Sequence, residues 1–201
     1  MVEGSDERNA ERLAETRARL LDAVIDSLAE RGYAATSTTE VARRSGLTRG
    51  AQLHHFGTKE RMMIAAVDRL SERTDAEHVA RALDVIPDDE RITVALQVLS
   101  SLVTSPDPQA YVELWAASRD QRDLEAALRA NDEVARDAVR ALFGPGILAR
   151  TTTRFDELLD LVMYALRGMA LDAHSASADD LGLRKEMIVA MAPLLGEALL
   201  P

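Results

Sequence analysis

An all-α fold is predicted by three observations on this 201-residue chain. Apolar residues recur at spacings of three and four rather than two, Ala and Leu are abundant while aromatics make up 3%, and no run alternates as a half-buried strand would. At 47% hydrophobic, the chain can bury one sizeable core, or build a small head on a larger body, so global disorder is excluded. The longest apolar runs, such as Leu158 to Leu171, are cut by Asp160 and Arg167. None reaches the roughly 18–20 uninterrupted residues of a membrane span. The opening MVEGSDERNAER lacks a basic start and an apolar centre, so no secretory signal is expected and Met1 to about Asn9 should be a mobile tail. The absence of cysteine excludes disulfides, thiolate catalysis and Cys-based zinc sites, and fits a cytoplasmic protein.

Taken in order, the first helix is marked by Leu13, Leu20, Leu21, Val24, Ile25 and Leu28, one stripe at helical spacing. Gly32 ends it by accepting a left-handed C-cap, and Tyr33 follows as a core anchor. Ser37 and Glu40 have the S-x-x-E spacing of a capping box, which starts a short helix at Thr38 with Val41 and Ala42 on its apolar face. Gly46 stops that helix after about two turns and leaves Leu47 free to pack inward. Thr48 caps the next helix, Arg49 to Phe56, and Ala42 is small enough for the two to approach closely. This is helix-turn-helix spacing, in which the second helix is offered to the DNA major groove. Further helices are predicted at about 58–74, 89–104, 107–118, 121–142, 154–173 and 183–199. Their breaks fall at Pro87-Asp88-Asp89, Ser105-Pro106-Asp107-Pro108, Gly144-Pro145-Gly146 and Ser175 to Gly182. The last two long helices are apolar around more of their circumference than a monomer needs, and Gly168 allows close approach. Pairing with a second copy as a four-helix interface would use that surface, as would completion of the monomer core.

Charge is unevenly distributed. The net charge of −10 divides into −1 over residues 1–60 and −9 over 61–201, whereas residues 43–61 carry +4 from Arg43, Arg44, Arg49, Lys59 and Arg61 against Glu60. Neutralising phosphates with such a patch releases condensed counterions, the main source of non-specific DNA affinity. The acidic body suppresses indiscriminate association.

The stretch ERGYAATST followed by TEVARRSGLTRGAQLHHFGTKERM resembles the DNA-binding head of the TetR family of bacterial transcriptional regulators, most closely over residues 13–70. The resemblance implies an all-helical homodimer: an N-terminal three-helix, helix-turn-helix DNA-binding domain at residues 1–57, and a C-terminal helical effector-binding and dimerisation domain at 58–201. It also implies double-stranded DNA with a palindromic operator as partner, and repression relieved by an unknown small-molecule effector. Carried over by position, Arg49, Gly50, Ala51, Leu53 and His54 face base edges, with Arg49 suited to guanine O6 and N7. His55 and Lys59 match phosphate-contacting positions, and the Thr48 hydroxyl and the amides near Thr48 and Thr58 add backbone contacts. Arg43 and Arg44 lie where contact with the flanking strand is expected, or else form a solvated face. Gln52 stands where the family mostly has a buried aliphatic residue and Leu53 where it mostly has tyrosine. Gln52 therefore points inward or reads adenine, and Leu53, if it faces the groove, meets a thymine methyl.

No metal or cofactor is implied. Adjacent residues on a helix point about 100° apart, so His54 and His55 do not converge on one ion, and His78 and His174 read as surface or structural residues. Phe56 reads as core. In the body, Tyr111, Leu114, Trp115 and Arg119 share a helix face toward Met163 and Arg167, the composition of an effector pocket and equally of an ordinary core. Arg167 needs a partner within an apolar helix: an acidic effector, Asp160, Asp172 or the other subunit. An enzyme is disfavoured, because the chain has no glycine-rich phosphate loop, no metal-spaced His/Glu cluster and no nucleophile with its base. A protein-interaction adaptor would leave the capped helix pair unexplained.

Overall fold

One long N-terminal helix, two short capped helices after it and longer amphipathic ones beyond account for the architecture. The computed structural model describes residues 3–73, 86–102, 106–148, 155–173, 178–190 and Pro193. The elements are α1 (Glu3–Ala35), α2 (Thr38–Ser45), α3 (Arg49–Phe56), α4 (Lys59–Arg73), α5 (Asp88–Leu102), α6 (Pro106–Ala117), a 3-10 turn (Ser118–Asp120), α7 (Arg122–Leu148), α8 (Phe155–Ala173) and α9 (Ala178–Ala190). Among the described residues there is no strand, and no helix long and apolar enough to cross a membrane. His78, His174 and, apart from Pro193, the chain beyond Ala190 lie outside the described residues.

Two apolar cores organise the chain. The first joins Leu20, Leu21, Val24, Ile25 and Leu28 of α1 to Val41, Phe56, Met62, Met63, Val67 and Leu70, and takes in Leu114 of α6 and Leu124 and Leu128 of α7. It therefore runs unbroken across residue 57, so α2 and α3 rest on helices that also belong to the body. The second core gathers Leu96 and Leu99 of α5, Leu142 and Phe143 of α7, Phe155, Leu159 and Val162 of α8, and Ile188 of α9. Helix α7 enters both, and its polar middle separates them. Buried Arg91 donates from Nε to the Leu142 carbonyl at 3.0 Å, so its charge is hydrogen-bonded within the second core.

Three boundaries, one cap and one burial depart from expectation; Gly32, at φ 76°, ψ 172°, does not take the left-handed C-cap conformation, and α1 runs on to Ala35. Helix α1 starts at Glu3, so the expected tail beyond Met1 and Val2 is helical; Glu, Arg, Ala and Leu are all good helix formers. Leu13 is 44% exposed, since the first core begins near Leu20. Gly144-Pro145-Gly146 does not end α7, which continues to Leu148. Proline's fixed φ suits a helix, at the cost of one backbone bond and crowding of the carbonyl four residues back. Gly182 lies inside α9 rather than in the preceding break; helical glycine costs only about 1 kcal/mol.

Candidate nucleic-acid interface

The helix pair is set by its caps. Ser37 Oγ accepts from the Glu40 amide at 3.2 Å, and Thr48 Oγ1 accepts from the Ala51 amide at 3.1 Å. Between them Gly46 takes φ 69°, ψ 19°, and Leu47 N bonds the Ala42 carbonyl at 3.1 Å, which turns the chain back over the first core. Thr58 caps α4 in the same way, accepting from the Arg61 amide at 3.2 Å. With both ends fixed, α3 divides by helical phase. Gln52 and Phe56 are buried, Ala51 and His55 lie at the flanks, and Arg49, Gly50, Leu53 and His54 form a continuous exposed row.

That phase settles the two readings of Gln52. It is 1% exposed, with Nε2 3.6 Å from Met62 Sδ, so it points inward and does not read adenine. Residues 52 and 56 share a face, and burial of the Phe56 ring carries Gln52 with it. Leu53, 59% exposed, takes the outward position.

The expected positive patch is partly neutralised by acids from outside it. Arg44 makes two bonds to the Glu30 carboxylate of α1, at 2.8 and 2.6 Å, and this draws its guanidinium back toward α1. In this position Arg44 clamps α2 to α1. Arg43 bonds Glu40 at 2.9 and 2.7 Å but remains exposed, and Arg31 also reaches Glu40 at 3.1 Å. The Arg43 hydrogen bonds, with Arg31 and Arg44 adding, pull the Glu40 carboxyl from 4.5 down to about 2. Arg49 and Arg61 are exposed. Lys59 opens α4 with its ammonium 2.9 Å from the Tyr33 carbonyl oxygen and 4.3 Å from the Tyr33 ring centre.

Sequence reasoning missed Arg17, whose guanidinium lies 5.8 Å from the Phe56 ring centre and brings α1 to the edge of α3. Burial, with His54 and Arg17 nearby, holds the His55 imidazole below its ordinary pKa. No sequence signal links positions nearly forty apart in this way; only the fold does.

In the body, α7 and α8 border a cleft of about 240 Å³ lined by Arg129, Asp132, Arg136, Met163, Tyr164 and Arg167 among others. Arg167 pairs with Asp132, while Asp160 pairs with Arg136, so the partner expected at Asp160 is corrected to Asp132. The Arg167 guanidinium lies 5.6, 6.0 and 5.9 Å from the ring centres of Tyr111, Trp115 and Tyr164. Its Nε is buried without an acceptor among the described residues. The Tyr111 hydroxyl has both Asp132 and the Leu128 carbonyl within hydrogen-bond reach of its one proton; burial, then Asp132, pushes its pKa up to about 12. Tyr111, Trp115, Met163 and Arg167 thus come together as expected, and Leu114 and Arg119 do not. Leu114 is fully buried in the first core, and α6 gives way to the 3-10 turn before Arg119, which is exposed there.

A capped helix pair with an exposed second helix, carried on a larger helical body, defines a helix-turn-helix DNA-binding regulator. Comparison with known proteins agrees with that class. Residues 20–66 match the model of the bacterial regulatory proteins of the tetR family. The chain is 33% identical, over 72% of its length and 80% of the relative's, to the HTH-type transcriptional repressor Rv3405c of Mycobacterium tuberculosis. It is 29% identical, over 81% of both chains, to the HTH-type transcriptional regulator CymR of Pseudomonas putida. The crystal structure of a transcriptional regulator from Rhodococcus sp. Rha1 shares the fold, with a TM-score of 0.72 at 21% identity, covering 91% of this chain and 97% of that one. The chain belongs to the TetR family of transcriptional regulators. It is not an enzyme.

Proposed function

We propose that the protein is a cytoplasmic repressor that binds a palindromic operator as a homodimer and is released by a small-molecule effector. The observation that carries this reading is the exposed row Arg49, Gly50, Leu53 and His54 on a helix capped at both ends. Arg49 would bond guanine, Gly50 and Ala51 let the backbone sit deep, Leu53 meets a thymine methyl, and His54 reaches a base edge. Thr48, His55 and Lys59 hold phosphates, and Arg43 can exchange Glu40 for one. The mycobacterial relative is named as a repressor, in keeping with the direction of control.

Dimerisation is supported by the apolar surface of the last helices. Leu161, Tyr164 and Leu171 are 55–66% exposed on one face of α8, around an open Gly168, and Leu183 and Met187 are similarly exposed on α9. Such a surface suits a self-complementary interface, and two heads then read half-sites about 34 Å apart. The effector would occupy the α7–α8 cleft, where an acceptor atom satisfies Arg167 Nε beside Tyr111, Trp115 and Met163. The test is selection of bound fragments from the source genome, followed by screening of compounds that release them. Failure to enrich any fragment contradicts the reading.

A further inference from the structure

Tyr33 is bonded at every polar atom it has, and the bonds lead to opposite parts of the molecule. Its amide donates to Glu113 Oε2 of α6 at 2.9 Å. Its hydroxyl lies 3.1 Å from Gln121 Oε1 and 3.0 Å from Gln121 Nε2, at the turn between α6 and α7. Its carbonyl accepts from the Lys59 ammonium, and its ring lies against that same ammonium. Gly32 makes the arrangement possible. At φ 76°, ψ 172° it interrupts α1 in a conformation essentially reserved for glycine, and a Cβ there would stand 3.0 Å from Glu113 Oε2. A side chain at residue 32 would crowd the carboxylate.

We propose that Tyr33 is a positioning residue through which α6 and the head of α7 set where Lys59 meets DNA. The proposal rests on the reading that Lys59 contacts phosphate. An ammonium has three donors, so with one given to the Tyr33 carbonyl two remain for phosphate oxygens, at a place fixed by Tyr33. Tyr111 and Trp115, which flank Arg167 at the body cleft, lie two residues either side of Glu113 on α6. A change in α6 packing beside Arg167 therefore draws on the Tyr33 amide through Glu113.

The test is a double-mutant cycle on the full-length protein, with a fluorescein-labelled duplex of mixed sequence titrated across a range of salt concentrations. Tyr33→Phe keeps the ring and carbonyl but frees the side chain from Gln121. Gln121→Met removes the same bond from the body side, should Tyr33→Phe fail to fold. Either change is expected to weaken binding about threefold to tenfold, the effect of one hydrogen bond, and to flatten the salt slope. In a Lys59→Met background both effects should vanish. If Lys59→Met weakens binding and lowers the slope by about 0.9, but Tyr33→Phe or Gln121→Met costs as much with Lys59 absent as present, Tyr33 does not act through Lys59 and the proposal is overturned. If Lys59→Met alone leaves affinity and slope unchanged, the phosphate contact itself is absent and the proposal falls with it.

Discussion

Individual side chains separate the groups that read DNA from those that hold the reader in place. Arg49→Ala should relax preference at one base pair and cost about 1–3 kcal/mol on the selected site, with little change on mixed duplex; competition titrations check both. Gln52→Leu should leave base preference unchanged, because its amide meets only the weak Met62 acceptor, and thermal unfolding should show equal or higher stability. By contrast, Ser27 Oγ and Thr36 Oγ1 lie buried 3.0 Å apart, with Thr36 also bonding the Gly32 carbonyl. Thr36→Val strands the Ser27 hydroxyl and should cost about 1–3 kcal/mol in denaturant unfolding. The local devices were legible in the sequence: Ser37, Thr48 and Gly46 act through neighbours within a few positions, and their residue types state the backbone geometry required. The inward turn of Gln52 was not, because side-chain polarity argued outward while the phase set by Phe56 argued inward. In the sequence Tyr33 reads only as a core anchor, since Glu113 and Gln121 are 80 and 88 positions away.

Among the elements, α2 and the turn after it carry the most leverage. Gly46→Ala introduces a side chain that would meet only Arg19 Nη2 at 3.8 Å, so the cost is the left-handed backbone itself, about 1–2 kcal/mol. The Glu40 cluster ties α2 to Arg31 of α1. Because its carboxyl sits at about 2 when folded and near 4.5 otherwise, its contribution is present above 4.5 and is lost as pH falls toward 2. Thermal midpoints should fall across that window more steeply for the wild type than for Glu40→Gln. The number and order of the helices were legible because apolar spacing persists over many residues. The ends of α7 and α9 were not: Pro145 and Gly182 are ordinarily breakers, yet both lie inside helices here.

At the scale of the molecule, the first core makes head and body one mechanical unit: α4 is bound to the body through Arg73 and Asp107, 3.1 Å apart, and to α1 through Arg69 and Asp22, 2.9 Å apart. Charge pairs of this kind join residues too distant in sequence to be foreseen. Substituting Glu at both Leu161 and Leu171 should give monomers in sedimentation, with loss of tight operator binding but not of weak mixed-duplex binding. An effector that releases the operator must bind less tightly to the DNA-bound protein by the same factor. The most direct measurement of the central claim, that the outer row of α3 reads the major groove, is methylation interference on a selected genomic fragment. The account predicts that guanine N7 methylation blocks the wild type at two positions about one helical turn, or a near multiple, apart, and that Arg49→Ala is indifferent to it. Binding that ignores N7 methylation throughout the fragment, or that depends on it equally without Arg49, would contradict the account.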